Sequence, residues 1–310
     1  MMNRFKHILP ILSVFLMLVL PAMPATARRR APLPCQNKVV AHRGGAAEAQ
    51  LPDNSMASLR YAMDLGCYAA ECDIYWTADD NILVTHADGR CTVGGLQPWK
   101  HTLAELRATG LLENGEMLPT LEDYLDAVMV KGSCTRLWLD IKRIFHPTEQ
   151  PQWAINACRR ACQIIRRKKA EAFVEFICTA DFNVMRECNK LCQQYHIPIG
   201  WMRKARPQKF LENGYTWANL PSQAYAFLEG HPVEAFQEAG IQYSTYNVDR
   251  DVVGIHSAVS PQEHAYYFSH YQQMKAICTN HPKWLLQQLH PVAALSAPTS
   301  SKAVRKGRKK

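Results

Sequence analysis

Strand-like and helix-like segments alternate along residues 38–293, and this alternation constrains the fold more than any other feature. Strand candidates begin near residues 39, 68, 136, 173, 198, 215, 243 and 275, eight in all. Helical stretches fall between them. Ser55–Leu65 places Met56, Leu59 and Met63 at helical spacing, and others cover Leu121–Val130, Gln152–Lys169, Phe182–Gln194 and Val233–Ala239. A short arm, Ile82–His86, follows the second strand across the turn signal Ala78-Asp79-Asp80-Asn81. Strands separated by helices predict a parallel sheet. Eight such units in one chain predict a closed (β/α)8 TIM barrel, an α/β fold, over an open sheet. No linker divides the segment, so residues 38–293 read as one domain.

The ends read differently. Arg4 and Lys6 precede an apolar run from Ile8 to Leu20, and Ala25-Thr26-Ala27 supplies a small-x-small cleavage site. Residues 1–27 therefore read as a signal peptide, which predicts an exported protein, periplasmic or secreted. Residues 28–37 form an N-terminal extension, and residues 294–310 a basic tail expected to be disordered. The net charge of +9 resides in these ends. With the leader, Arg28–Arg30 and the six basic residues of the tail set aside, the body carries about −2. A body without a basic stripe excludes a nucleic-acid partner. Weak contact of the tail with an anionic surface is the partner that its charge suggests.

Eleven cysteines follow the leader. Cys158/Cys162 and Cys188/Cys192 are each spaced i,i+4 on predicted helices, so each pair shares a helix face. Buried small hydrophobes come first among the readings of these four, then a disulfide between the helices, then a four-cysteine zinc site.

In such a barrel chemistry gathers where strands run into loops. The first strand ends in His42-Arg43-Gly44-Gly45, the glycines allowing a turn without side-chain bulk. The second contains Glu71-Cys72-Asp73, whose two carboxylates face one way about 7 Å apart along the strand. Two carboxylates inside a barrel repel unless a cation lies between them, and a hard divalent ion prefers oxygen ligands. In the third, Asp140 interrupts the apolar Leu137-Trp138-Leu139 and Lys142 shares its face; the pair is either a structural salt bridge or a ligand and a substrate contact. His86 ends the arm.

Read in order, His42-Arg43-Gly44, Pro52-Asp53-Asn54-Ser55, Glu71-Cys72-Asp73, His86, Pro119-Thr120-Leu121-Glu122, Asp140-Ile141-Lys142, Tyr246-Asn247-Val248-Asp249 and Thr279-Asn280-His281-Pro282 resemble the motifs of the glycerophosphodiester phosphodiesterases. The resemblance implies one divalent cation, Mg²⁺ or Ca²⁺, held by Glu71, Asp73 and Asp140. It implies Arg43 and Lys142 on the substrate phosphate, and His42 and His86 as the acid–base pair. The implied substrate is a small glycerophosphodiester, cleaved to glycerol phosphate and an alcohol. Asp53, Ala87, Asp140 and Asn280 depart from the usual residues of the family. A lipid-cleaving phosphodiesterase of the phospholipase D or phosphoinositide type, on the same barrel, and an inactive secreted binding protein are the alternatives.

Overall fold

The computed structural model describes residues 31–142, 151–178, 182–246, 248 and 260–289. The leader, the 294–310 tail, Asn247 and Asp249 lie outside them.

Nine strands form one sheet: β1 Val39–Ala41, β2 Ala69–Trp76, β3 Ile82–Val84, β4 Arg136–Ile141, β5 Val174–Cys178, β6 Ile199–Trp201, β7 Trp217–Pro221, β8 Gln242–Tyr246 and β9 Ala276–Thr279. Parallel pairings run β1–β2–β4–β5–β6–β7–β8–β9, and β9 pairs back to β1. Eight parallel strands therefore close into the expected barrel, with helices between them. The arm β3 lies antiparallel on β2, outside the ring.

Strand alternation sorts side chains into two populations. The outward set, including Val39, Ala70, Cys72, Leu137 and Leu139, packs under the helices in the main core. The inward set is a separate cluster of Val40, Ala69, Trp138, Ile177, Trp217, Ala276 and Cys278. Trp138 and Trp217 meet edge to face at 4.9 Å and fill the barrel middle. The lumen is thus a packed core with a charged layer above and below it.

The helix ends follow sequence signals. Ser55 caps Met56–Asp64 through its hydroxyl, which accepts from the Ser58 N–H. Thr120 with Asp123, and Ser260 with Glu263, form capping boxes at Leu121–Val128 and Pro261–Ser269. The 261–269 helix was not among those expected. The segment read as a strand from Phe173 starts at Val174, because Glu171–Phe173 is a 3-10 turn. The described cysteines are all free thiols, so the disulfide considered between the two i,i+4 pairs is not formed.

Candidate active site

At its C-terminal end β1 passes directly into a 3-10 turn, His42–Gly45. Arg43 takes φ 48° and Gly44 φ 77°. A Cβ on Gly44 would lie 2.6 Å from the Ser58 carbonyl carbon, so only glycine fits here. Left-handed backbone at an arginine is uncommon. It is held by the Arg43 N–H, which donates to Glu71 Oε2 at 2.9 Å. The turn thereby presents the His42 ring and the Arg43 guanidinium to the barrel mouth.

The acidic set comes from two neighbouring strands. The β2–β4 register places Asp73 beside Asp140 and Glu71 beside Trp138. Glu71, Asp73 and Asp140 are 2 %, 0 % and 4 % exposed, and one carboxylate oxygen from each lies within 4.8 Å of the other two. Lys142 Nζ bridges the set, 2.5 Å from Asp73 Oδ1 and 2.6 Å from Asp140 Oδ2. Arg43 Nε stands 3.5 Å from Asp73 Oδ2, while its NH1 pairs with Asp53 at 2.5 Å. Three buried carboxylates thus share two cations. Asp140 Oδ1 is buried with no hydrogen-bond partner among the described residues.

The electrostatics follow from that surplus. Burial, and then the Asp73 charge, push Glu71 well above the usual carboxylate range. Burial also raises Asp140, with Asp73 adding to the rise against the pull of Lys142. Burial works the same way on Asp73, but Lys142 and Arg43 outweigh it and hold Asp73 below its ordinary value. Burial would depress Lys142, yet Asp140 and Asp73 keep it above the ordinary lysine value.

His42 Nδ1 donates to Asn280 Oδ1 at 2.6 Å, and Nε2 lies 3.7 Å from Glu71 Oε2. Burial, with Arg43 beside it, lowers the His42 pKa, so the ring is neutral and Nε2 carries the lone pair. His86 is exposed at the end of the arm and within the field of Asp73; burial of part of the ring is the first cause of its lowered pKa. The residue after it, Ala87, has φ 46°. Asp88 does not turn toward His86. Its carboxylate accepts from the N–H groups of Arg90 and Thr92 and from the Thr92 hydroxyl, closing its own loop.

All seven residues expected to form the site therefore meet at one end of the barrel. Three further residues belong with them. Asn54, in left-handed backbone, donates from Nδ2 to Asp73 Oδ2 at 2.8 Å and accepts from the Asp73 N–H at 3.0 Å. Asn280 orients His42. Tyr246, at the end of β8, is close enough to Asp140 for that charge, after burial, to raise its hydroxyl to about 12. All three fall in motifs that the sequence resemblance already carried, Pro52-Asp53-Asn54-Ser55, Thr279-Asn280-His281-Pro282 and Tyr246-Asn247-Val248-Asp249, although none was assigned a role there. Glu122 is not part of the site; it pairs with Arg167 on the outside of the barrel.

Comparison with known proteins agrees with this geometry. The family described as "Glycerophosphoryl diester phosphodiesterase family" matches residues 42–284. A glycerophosphodiester phosphodiesterase of Caldanaerobacter subterraneus subsp. tengcongensis is 25% identical over 232 residues, covering 68% of this chain and 86% of that protein. The crystal structure of a glycerophosphodiester phosphodiesterase from Parabacteroides distasonis superposes with a TM-score of 0.65 at 26% identity, over 82% of this chain and 97% of that one. An Oleispira antarctica phosphodiesterase, solved with the product sn-glycerol-3-phosphate, shares the fold with a TM-score of 0.58 at 16% identity, over 81% and 95% of the two chains. With the barrel closed, His42, Arg43, Glu71, Asp73 and Asp140 gathered at its mouth and the family model matching residues 42–284, the chain belongs to the glycerophosphoryl diester phosphodiesterase family, and it is a phosphoric diester hydrolase.

Proposed function

We propose that the chain hydrolyses glycerophosphodiesters to glycerol phosphate and an alcohol with one Mg²⁺ or Ca²⁺ at Glu71, Asp73 and Asp140. The observation that carries this reading is the convergence of three buried carboxylates on one point beside His42 and Arg43. The donor set is all oxygen, which suits a hard divalent ion. The orphaned Asp140 Oδ1 and the excess of carboxylates over cations fit such an ion as well. When bound, the ion supplies charge neutralisation on the phosphoryl oxygens.

Arg43 binds the substrate phosphate through its planar fork, exchanging part of its contact with Asp53, and Lys142 adds a second positive charge. His42 is set up to take a proton: its Nδ1–H is committed to Asn280, leaving Nε2 as the acceptor. His86, on the arm opposite, is the second proton-transfer group and protonates the departing alkoxide. Each histidine contributes roughly 10²–10⁴ in rate. Asn54 keeps Asp73 fixed while these charges move.

The test is product release from a panel of glycerophosphodiesters, read with and without added Mg²⁺ or Ca²⁺ after chelation. Metal-dependent appearance of glycerol phosphate supports the proposal. Unchanged turnover in the chelated protein removes the metal from it. The leader composition further supports export, and sequencing the N-terminus of protein recovered outside the cytoplasm tests cleavage after Ala27.

A further inference from the structure

The helices Pro151–Lys168 and Phe182–Tyr195 pack against each other outside β4 and β5. Each presents its i,i+4 cysteine pair to the other. Cys158, Cys162 and Cys192 are all 0 % exposed, and their three Sγ atoms lie within 4.8 Å of one another. Cys158 Sγ and Cys192 Sγ are 3.8 Å apart. Cys188, the fourth member of the two pairs, has its thiol beside Cys158 and Cys178.

We propose that Cys158, Cys162 and Cys192 form a second metal site, which takes a thiophilic cation of the Zn²⁺ class and ties the two helices together. Two geometric features point there. Sulfurs bound tetrahedrally at about 2.3 Å from Zn²⁺ stand about 3.8 Å apart, the spacing that Cys158 and Cys192 already have. Two ligands from one helix turn and a third from the facing helix is a rigid arrangement, which needs little rearrangement on binding. The site is chemically separate from the barrel mouth. Sulfur donors select soft or borderline ions and the oxygen triad hard ones, so one chain can hold both without exchange. On binding, each coordinating thiol releases its proton to solvent as a sulfur–metal bond forms, and nothing is oxidised.

Cobalt distinguishes the two sites, because only thiolate ligands give an intense near-ultraviolet charge-transfer band. The full chain is reduced, chelated, loaded with Co²⁺ and then titrated with Zn²⁺. The expected result is a charge-transfer band of about one Co²⁺ per chain, bleached by stoichiometric Zn²⁺. It persists in Glu71→Gln/Asp140→Asn and is lost in Cys158→Ser/Cys192→Ser. Should the serine variant fail to fold, the Glu71→Gln/Asp140→Asn chain decides, since its thermal midpoint should rise on Zn²⁺ addition and fall on chelation. No band in the wild-type chain, a midpoint that ignores Zn²⁺ in the Glu71→Gln/Asp140→Asn chain, or a Cys158–Cys192 disulfide in the protein as isolated overturns the proposal.

Discussion

The two ends of the barrel lumen carry the same chemistry in opposite balance. At the N-terminal end one carboxylate, Glu175, is fully partnered: Lys275 Nζ and the Tyr68 hydroxyl donate to Oε1 at 2.9 and 3.1 Å, and Trp138 Nε1 donates to Oε2 at 2.7 Å. At the C-terminal end three carboxylates share Lys142 and Arg43, and one oxygen has no partner. A buried charge that is paired and hydrogen-bonded holds a structure together. A surplus of buried like charge costs stability and is kept where it binds something. The bottom layer is therefore a plug and the top layer a site.

The largest expected effect separates the two ends by function. His42→Ala or His86→Ala should lower kcat/KM roughly 10²–10⁴-fold while leaving the thermal midpoint nearly unchanged, measured by product release and calorimetry. Near-full activity in either variant removes that histidine from the chemistry. Next comes the reverse experiment at the plug. Lys275→Met strands Glu175 in a closed layer and should cost roughly 3 kcal/mol of stability in denaturant titration, with turnover per folded molecule preserved. A loss of turnover with stability intact would make the bottom layer functional and end the contrast. Asn54→Ala should cost about 10–100-fold in activity, because Asp73 loses both its side-chain and backbone clamp.

The smallest effect concerns pH. Glu71 and Asp140 have raised pKa values in the folded chain, so both states hold those protons below the ordinary carboxylate range. As pH rises through that range the unfolded chain releases them first, and the stability from these two groups is lost until they ionise in the fold. Asp73, held low, works in the other direction and in a lower window: its contribution builds as pH rises up to the ordinary carboxylate range and is complete above it. Glu71→Gln removes its share of the loss. In metal-free protein its midpoint relative to wild type should climb from the ordinary carboxylate range toward neutrality, while activity falls. A midpoint difference independent of pH would mean that Glu71 is not strained by its neighbours.

The barrel was legible because its eight strands and most of the long helices between them announce themselves locally, and strand alternation then put Glu71, Asp73 and Asp140 on the lumen face. The residues that orient those groups were less legible. Asn54 matters through a left-handed backbone and a strand 19 positions away, and Asn280 through contact with His42 across the closing pair β9–β1. The departure at Ala87, with Asp88 one place later, was visible in sequence. That Asp88 is consumed by Thr92 and the Arg90 N–H depends on a loop whose closure no periodicity signals. The four cysteines were legible as two helix faces, but which three sulfurs come within 4.8 Å of one another depends on how the helices cross.

The central claim is that the surplus of carboxylate at the top of the barrel is a binding site for a hard divalent cation. Titration calorimetry of the chelated chain with Ca²⁺ or Mg²⁺, run beside Glu71→Gln/Asp140→Asn, tests it most directly. One saturable site in the wild-type chain that disappears in the variant is the predicted result. Equal binding in both, or none in the wild type, would contradict it.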